Sequence, residues 1–232
     1  MHCIILCGGR ARRMGGINKS MIRILGKPLL EYTITSLKTF GFENITIIVG
    51  KNKEEIINYF KDGEAFGAKI KYIEQKQALG TAHAIYLTKG LFQDAFLVVL
   101  GDVLFFENLR EIYDYHLKEN ATATICVERT DKPEKTGIVE IKHGKIVRAE
   151  EKPKKPFSNI GIAGIYVFEN DIYKAIEKTK PMHTSELEVT TSINILAKDR
   201  KVVPYFIKNP RVNINTPRDV WRAEEIVKSL SF

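Results

Sequence analysis

The sequence predicts an α/β fold with a doubly wound, mostly parallel sheet and a small antiparallel β insertion. Apolar runs rich in β-branched residues alternate with helical patterns over the first 120 residues. Strands that are apolar on both faces and separated by helices are typical of parallel sheets covered by helices. After residue 120, strand patterns follow one another directly, with HG (143–144) as a two-residue hairpin turn, which indicates antiparallel pairing.

The predicted elements follow in chain order. In the first part, strands are expected at 3–6, 44–50, 69–75 and 95–103, and helices at 27–41, 53–63, 81–91 and 108–119. In the second part, strands are expected at 122–129, 137–153, 160–168 and 201–207, and helices at 170–178, 185–199 and 215–230. Thr216 is the expected N-cap of the last helix, with Pro217 at its first position. Because no repeat or linker interrupts the pattern, we predict one domain over residues 1–232.

The composition is that of a globular protein and restricts its partners. The chain has 232 residues, 44% hydrophobic and 28% charged, with a net charge of +8 that favours anionic partners. No apolar stretch is long enough for a membrane span, and no secretory leader precedes the first strand, so no membrane partner is expected. The odd count of three cysteines favours a reducing cytoplasm, with Cys3 and Cys7 as small core residues. Nucleic-acid binding is disfavoured, because the basic residues are scattered and lack interleaved aromatics.

A glycine-rich, cationic connector, LCGGRARRMGGINKSMI (6–22), follows the first strand. It matches neither G-x-G-x-x-G nor the P-loop pattern, in which Asn18 would stand in place of the second glycine. Adjacent glycines at 8 and 9 still allow backbone N–H groups to turn toward an anion. The cations of this segment can clamp a triphosphate; they are Arg10, Arg12, Arg13 and Lys19. A plain basic surface turn is the alternative interpretation.

The segment from 6 to 30 resembles the signature of the nucleotidyltransferases that join an NTP to a phosphorylated sugar. Arg13 and Lys19 match the arginine and lysine of that signature, and Lys27-Pro28 completes it. The short spacer between Arg13 and Lys19 is more similar to that of the molybdopterin and cobinamide nucleotidyltransferases than to the longer loop of the thymidylyltransferases. Arg12 stands where threonine is usual, so its role stays open. The resemblance implies a Rossmann-like nucleotidyltransferase fold and catalytic roles for Arg13 and Lys19.

Two further motifs extend the resemblance. In EQKQALGTAHAI (74–85), Gln75, Gly80 and Thr81 match the family's base-reading glutamine and the Gly-Thr five residues on. Together with Leu6, Gly8 and Gly9, they are the implied nucleotide-binding residues. In VVLGDVLF (98–105), Asp102 ends the most apolar strand, where open α/β sheets bind ligands, and matches the family's Mg²⁺-binding aspartate.

The remaining matches concern the sugar phosphate and a second metal ligand. The resemblance implies that Gly137, Glu151 and Lys152 bind the sugar phosphate, within about 121–232, while about 1–120 binds the nucleotide. Ile162-Ala163 stands where acetylglucosamine uridylyltransferases carry Asn-Thr, which disfavours N-acetylglucosamine. In VNINTPRD (212–219) either Asn213 or Asn215 takes the register of the second metal ligand, and the sequence does not choose between them.

The implied function is Mg²⁺-dependent transfer of NMP from an NTP to a sugar-1-phosphate, releasing pyrophosphate. Alternatives are the same chemistry on an inositol phosphate or a cofactor precursor, and a catalytically silent nucleotide-sugar-binding regulator. The chain is expected to be a cytoplasmic monomer or homo-oligomer without a C-terminal β-helix domain.

Overall fold

The computed structural model describes residues 1–8, 18–181 and 185–230. The strands are β1 His2–Cys7, β2 Arg23–Ile24, β3 Lys27–Pro28, β4 Asn44–Val49, β5 Lys69–Glu74, β6 Phe96–Leu100, β7 Val103–Phe105, β8 Ala123–Arg129, β9 Gly137–Lys142, β10 Lys145–Glu151, β11 Ile160–Phe168, β12 Val202–Phe206 and β13 Arg211–Asn213. The helices are α1 Leu29–Thr39, α2 Lys53–Phe60, α3 Thr81–Tyr86, α4 Leu109–Lys118, α5 Asp171–Glu177, α6 Val189–Leu196 and α7 Pro217–Leu230.

The backbone forms two compact units, neither of which is continuous in sequence. The first unit comprises Met1–Ala78, Val99–Leu109 and Lys208–Phe232. The second comprises Leu79–Val98 and Arg110–Ile207.

The first unit is built on the parallel strands β1, β4 and β5. β1 pairs with β4 from His2↔Asn44 to Cys7↔Val49, and β4 pairs in parallel with β5. Four consecutive residues of β1, Cys3 to Leu6, are buried. Because successive side chains of a strand point to opposite faces, this continuous burial means that both faces of β1 are covered. The predicted parallel sheet is confirmed.

The C-terminal segment of the first unit returns to the strand that follows Asp102. β13 pairs antiparallel with β7, and Asn213 stands opposite Val103. A buried cluster holds this return in place; it consists of Ile24, Leu29, Leu104, Val212, Ile214 and Ala223. Ile214 N donates to Asp102 O at 2.9 Å, so the chain between β13 and α7 is tied to the backbone of Asp102.

The second unit contains the antiparallel insertion. β11 pairs antiparallel with β8 and β9, β9 pairs antiparallel with β10, and β12 runs parallel to β8. His143 and Gly144 connect β9 to β10 with φ of 49° and 72°. Positive φ at both positions is what a type I′ hairpin requires, so the predicted HG turn is confirmed. No helix within 1–8, 18–181 and 185–230 has the length and apolar character needed to span a membrane.

Candidate active site

Gly8 and Gln75 follow the two strands that flank β4 in the parallel sheet of the first unit. Gly8 comes directly after β1 and Gln75 directly after β5. Gln75 is only 5% exposed, and its N–H donates to Val49 O at 2.8 Å. A Cβ at position 8 would lie 2.6 Å from Oε1 of Gln75. The glutamine side chain therefore lies directly against a glycine backbone, and no larger residue fits there without moving it.

Asp102 lies beside a lysine and an asparagine from distant parts of the sequence. Lys19 Nζ is 3.1 Å from Asp102 Oδ2 and 2.7 Å from Asn215 Oδ1. The Lys19 side chain is 19% exposed and that of Asp102 33%. The ammonium thus joins one carboxylate oxygen and one amide oxygen, and we call these three side chains the Asp102 cluster.

Asn215 is held by the start of α7. Asp219 Oδ2 accepts from Asn215 N at 3.0 Å and from Thr216 N at 2.8 Å, and Asp219 N donates to Thr216 Oγ1 at 3.4 Å. Thr216 is therefore the N-cap of the helix that begins at Pro217, as predicted, and forms a capping box with Asp219. Asn213 is exposed on β13. Of the two asparagines, Asn215 is the one whose side chain reaches the lysine bound to Asp102.

The Asp102 cluster fits a divalent cation that arrives with phosphate oxygens. Mg²⁺ prefers oxygen ligands and usually takes one or two carboxylates together with substrate phosphates. Asp102 and Asn215 provide such oxygens, and a cation, the Lys19 ammonium, already lies between them. Across the described part of the chain, no three His, Cys, Asp or Glu side chains come together as a metal-binding group. Asp102 and Asn215 alone are therefore too few to hold a metal ion without oxygens from a substrate.

The backbone just before Asp102 is tightly packed. Gly101 N donates to Leu6 O at 3.0 Å, and a Cβ on Gly101 would lie 2.5 Å from Cys7 Sγ. Burial raises the pKa of Cys7 to about 12, so its thiol is protonated and unreactive at neutral pH. Cys7 acts as a packing residue, as Cys3 does in the core.

In the second unit, Thr81 begins α3 with its hydroxyl both donating and accepting a hydrogen bond. Its Oγ1 donates to Glu188 Oε2 at 3.1 Å and accepts from Val189 N at 2.9 Å. Gly80 has φ of 108°, and a Cβ there would approach Leu187 N at 2.6 Å. Both residues of the Gly-Thr pair are therefore held against the segment that leads into α6.

Glu151 is surrounded by the other predicted sugar-phosphate residues. Its Oε2 accepts from Thr190 Oγ1 at 2.7 Å, and Lys152 Nζ lies 3.0 Å from its Oε1. A Cβ on Gly137 would lie 2.8 Å from Glu151 Oε2 and 2.7 Å from Thr190 Oγ1. Gly137, Glu151 and Lys152 thus form one cluster, and the glycine leaves room for the bond between the carboxylate and the threonine.

The comparison with protein families decides where this chain belongs. Residues 2–228 match the family model described as Nucleotidyl transferase. The chain belongs to the nucleotidyl transferase family.

Two known proteins have sequences similar to this chain over nearly its whole length. The chain is 37% identical over 230 residues to the Bifunctional protein GlmU of Methanococcus maripaludis, a match that covers 96% of this chain and 53% of that protein. It is 30% identical over 233 residues to the UTP–glucose-1-phosphate uridylyltransferase AglF of Haloferax volcanii, a match that covers 97% of this chain and 96% of that protein. The chain spans about half the length of the GlmU relatives.

Solved structures agree on the fold. A putative glucose-1-phosphate thymidylyltransferase from Bacillus anthracis, in complex with a sucrose, superposes with a TM-score of 0.89 at 27% identity. The match covers all of this chain and 97% of that one. A UDP-glucose pyrophosphorylase complexed with UDP-glucose has a TM-score of 0.87 at 24% identity, which supports the fold alone. The predicted α/β fold with a mostly parallel sheet is confirmed.

Four residues that the sequence predicts to bind the nucleotide or its phosphates lie outside the described residues of this nucleotidyl transferase; they are Gly9, Arg10, Arg12 and Arg13. Leu6 is buried at the end of β1, with its carbonyl bound to Gly101 N. Ile162 and Ala163 are both buried on β11.

Sequence reasoning missed Glu188. Burial raises the pKa of its carboxyl, the nearby Glu151 charge raises it further, and Lys152 opposes the shift. Its signal in the sequence is a carboxylate between the apolar residues Leu187 and Val189. The structure places it immediately before α6, which begins at Val189 rather than at residue 185 as predicted. A charged residue in such a segment needs a polar partner, and here Thr81 is that partner.

Proposed function

We propose that the protein transfers NMP from an NTP to a sugar-1-phosphate, giving an NDP-sugar and pyrophosphate, with Mg²⁺ as cofactor. The observation that carries this proposal is the Asp102 cluster, which gathers a lysine, a carboxylate and an amide oxygen from three separate segments. Membership of the nucleotidyl transferase family supports the chemistry. The relative AglF, which the chain matches over nearly its whole length, is by name a UTP–glucose-1-phosphate uridylyltransferase.

The proposed reaction is an in-line displacement at phosphorus. An oxygen of the acceptor's phosphate attacks the α-phosphorus, the bond from that phosphorus to the oxygen bridging to the β-phosphate breaks, and pyrophosphate leaves. Such transfer depends on positioning and charge neutralisation, so no nucleophilic side chain is needed. Lys19 would bind the α-phosphate or the acceptor phosphate, and Arg13 would bind the leaving pyrophosphate.

Asp102 and Asn215 would hold Mg²⁺, which when bound neutralises the negative charge of the phosphate oxygens. The base would be read by Gln75, which is buried and whose Oε1 lies against the backbone of Gly8. Leu6, Gly8 and Gly9 would line the nucleotide. The hydroxyl of Thr81 is already bonded to Glu188 and Val189 N. We therefore propose that Gly80 and Thr81 serve the nucleotide through their backbone.

For the acceptor we propose a hexose-1-phosphate. Glu151 is placed to accept hydrogen bonds from sugar hydroxyls, and Lys152 to bind phosphate; Glu188 adds a second carboxylate to this cluster. The buried apolar pair Ile162-Ala163 supports an acceptor other than N-acetylglucosamine. The three free cysteines support a cytoplasmic location, where both substrates would be available.

The test is pyrophosphate release from a matrix of NTPs and sugar-1-phosphates. We expect one strong pair, dependent on Mg²⁺ and abolished by EDTA. Asp102→Ala should abolish release, whereas Asp114→Ala, which removes an exposed carboxylate paired with Arg110 on α4, should leave it unchanged. Nucleotide binding without pyrophosphate release from any pair would overturn the proposal and favour a silent regulator. Release only with inositol phosphates or cofactor precursors would reassign the acceptor.

A further inference from the structure

The turn that carries Lys19 is held on both sides by buried polar side chains. Lys19 starts a single turn of 3₁₀ helix, Lys19–Met21. Asn18 before it is 9% exposed, and Ser20 after it is 3% exposed. Lysine has a long flexible side chain, so where its ammonium lies depends on how firmly its backbone is fixed.

Asn18 uses both ends of its amide. Its Oδ1 accepts from Ser20 N at 3.3 Å, which caps the turn, and its Nδ2 donates to Asn52 O at 3.4 Å in the loop after β4. Its backbone carbonyl accepts from Met21 N at 2.9 Å. One side chain therefore closes the turn and fastens it to the carboxyl end of the parallel sheet.

Ser20 fastens the other side of the turn close to Asp102. Its hydroxyl interacts with the Cys7 thiol at the end of β1 and lowers the pKa of that thiol, against the larger effect of burial. A Cβ on Gly101 would lie 2.9 Å from Ser20 Oγ, so the serine packs against the residue that precedes Asp102. The Ser20 side chain thus links the turn that carries Lys19 to the residue immediately before Asp102.

We propose that Asn18 and Ser20 are positioning residues that hold the Lys19 ammonium at Asp102 and Asn215. The expected effect of these residues on turnover rests on the proposed function. Their effect on the position of the Lys19 ammonium does not. Neither residue touches the reacting groups; both act through the backbone of the turn. A purely structural cap would lower stability without changing the environment of the Lys19 ammonium.

The first test measures that environment without any substrate. Lys19 is acylated with acetic anhydride, and its rate is compared with that of the other lysines by peptide mass spectrometry. In Asn18→Ala and in Ser20→Ala we expect Lys19 to react about two- to fivefold faster, the factor that loss of a partly exposed ion pair allows. Asn18→Ser, which keeps a short acceptor for Ser20 N, should restore much of the slow rate.

The matched control is Asp62→Ala. Asp62 Oδ1 accepts from Glu64 N at 3.1 Å, at another single 3₁₀ turn. This bond has the same spacing in sequence as the bond from Ser20 N to Asn18 Oδ1. This variant should leave the Lys19 rate unchanged. An unchanged Lys19 rate in folded Asn18→Ala and Ser20→Ala would overturn the proposal.

The second test is a double-mutant cycle on pyrophosphate release. If Asn18 acts through Lys19, Asn18→Ala should lower kcat in the wild-type background and have no further effect in Lys19→Ala. Equal losses in both backgrounds would overturn the proposal. If the wild-type protein releases no pyrophosphate from any substrate pair, the proposed function fails, while the acylation rates still decide whether Asn18 and Ser20 position Lys19.

Discussion

The ammonium of Lys19 lies 3.1 Å from the carboxylate of Asp102, at the place where a metal ligand is proposed. The same nitrogen binds Asn215 Oδ1 at 2.7 Å. If Asp102 and Asn215 hold Mg²⁺ as proposed, the lysine and the divalent cation would compete for the same two oxygens. The phosphates of a bound NTP would then give the Lys19 ammonium a new partner and leave the two oxygens to the metal.

This competition predicts the metal affinity of a lysine variant. Without nucleotide, Lys19→Met should bind Mn²⁺ about two- to fivefold more tightly than wild type, because a partly exposed ion pair of the carboxylate is removed. Electron paramagnetic resonance titration of free Mn²⁺ measures this. Lys27→Met, which removes an exposed cation paired with Glu31, is the control and should leave the affinity unchanged. Weaker Mn²⁺ binding in Lys19→Met would contradict the assignment.

Mutation can decide which of Asn213 and Asn215 is the second metal ligand, a choice that the sequence leaves open. Asn215→Ala removes the oxygen that binds Lys19 Nζ, so pyrophosphate release should fall about 10- to 100-fold, as expected for loss of a hydrogen bond to a charged group. Asn213→Ala removes an exposed side chain two residues away and should retain near wild-type rates. Steady-state kcat and KM of both variants, measured side by side, provide the comparison. The reverse order of losses would place the second metal ligand at Asn213.

Gly8 is predicted to be intolerant of a methyl group because of one neighbour. In Gly8→Ala the new Cβ would lie 2.6 Å from Gln75 Oε1, so the glutamine must move, and KM for the nucleotide should rise. The rest of the Gln75 side chain is at ordinary distance, 3.6 Å or more. Adding Gly8→Ala to Gln75→Ala should therefore cause little further loss of thermal stability. A full additive loss in the double variant would show that the backbone, not Gln75, excludes the methyl group.

Short sequence patterns correctly predicted the features of the fold that depend on only a few adjacent residues. The buried run after Met1, the hairpin turn at His143-Gly144 and the proline at the start of α7 each follow from a few adjacent residues. The pairing of β13 with β7 does not, because it depends on burying Val212 against residues far away in sequence. That pairing is what brings Asn215 to Lys19.

The same limit applies to hydrogen-bond partners at the candidate site. A sequence shows that Thr81 is a suitable residue to start a helix, but not that its hydroxyl is bonded to Glu188, 107 residues later. Likewise Gly137 matches a family position, but only the structure gives the packing reason, the contact between Glu151 and Thr190. The residue types were predictable; their partners required tertiary structure.

Glu188 gives a pH-dependent prediction with a definite sign. Burial raises the pKa of its carboxyl above the ordinary value of 4.5, with the Glu151 charge adding to the shift. Between these two pKa values the folded state holds a proton that the unfolded state has released, so wild-type stability falls as pH rises through this range. Glu188→Gln cannot ionise. Its melting temperature relative to wild type should therefore rise as pH increases upward from 4.5.

Glu177→Gln gives the opposite slope and serves as the control for that measurement. The Lys89 ammonium and the Tyr86 hydroxyl lower the pKa of Glu177, so its stabilising contribution is present above the ordinary pKa of 4.5 and is lost as pH falls through the lowered value. Glu177→Gln should therefore lose stability relative to wild type as pH rises from the lowered value to about 4.5 and show a constant difference above it, small because the pair is exposed. Thermal unfolding of both variants and wild type from pH 3 to 8 compares the two slopes. Parallel profiles for Glu188→Gln and wild type would mean that the Glu188 carboxyl titrates alike in the folded and unfolded chain, contrary to its position beside Thr81 and Glu151.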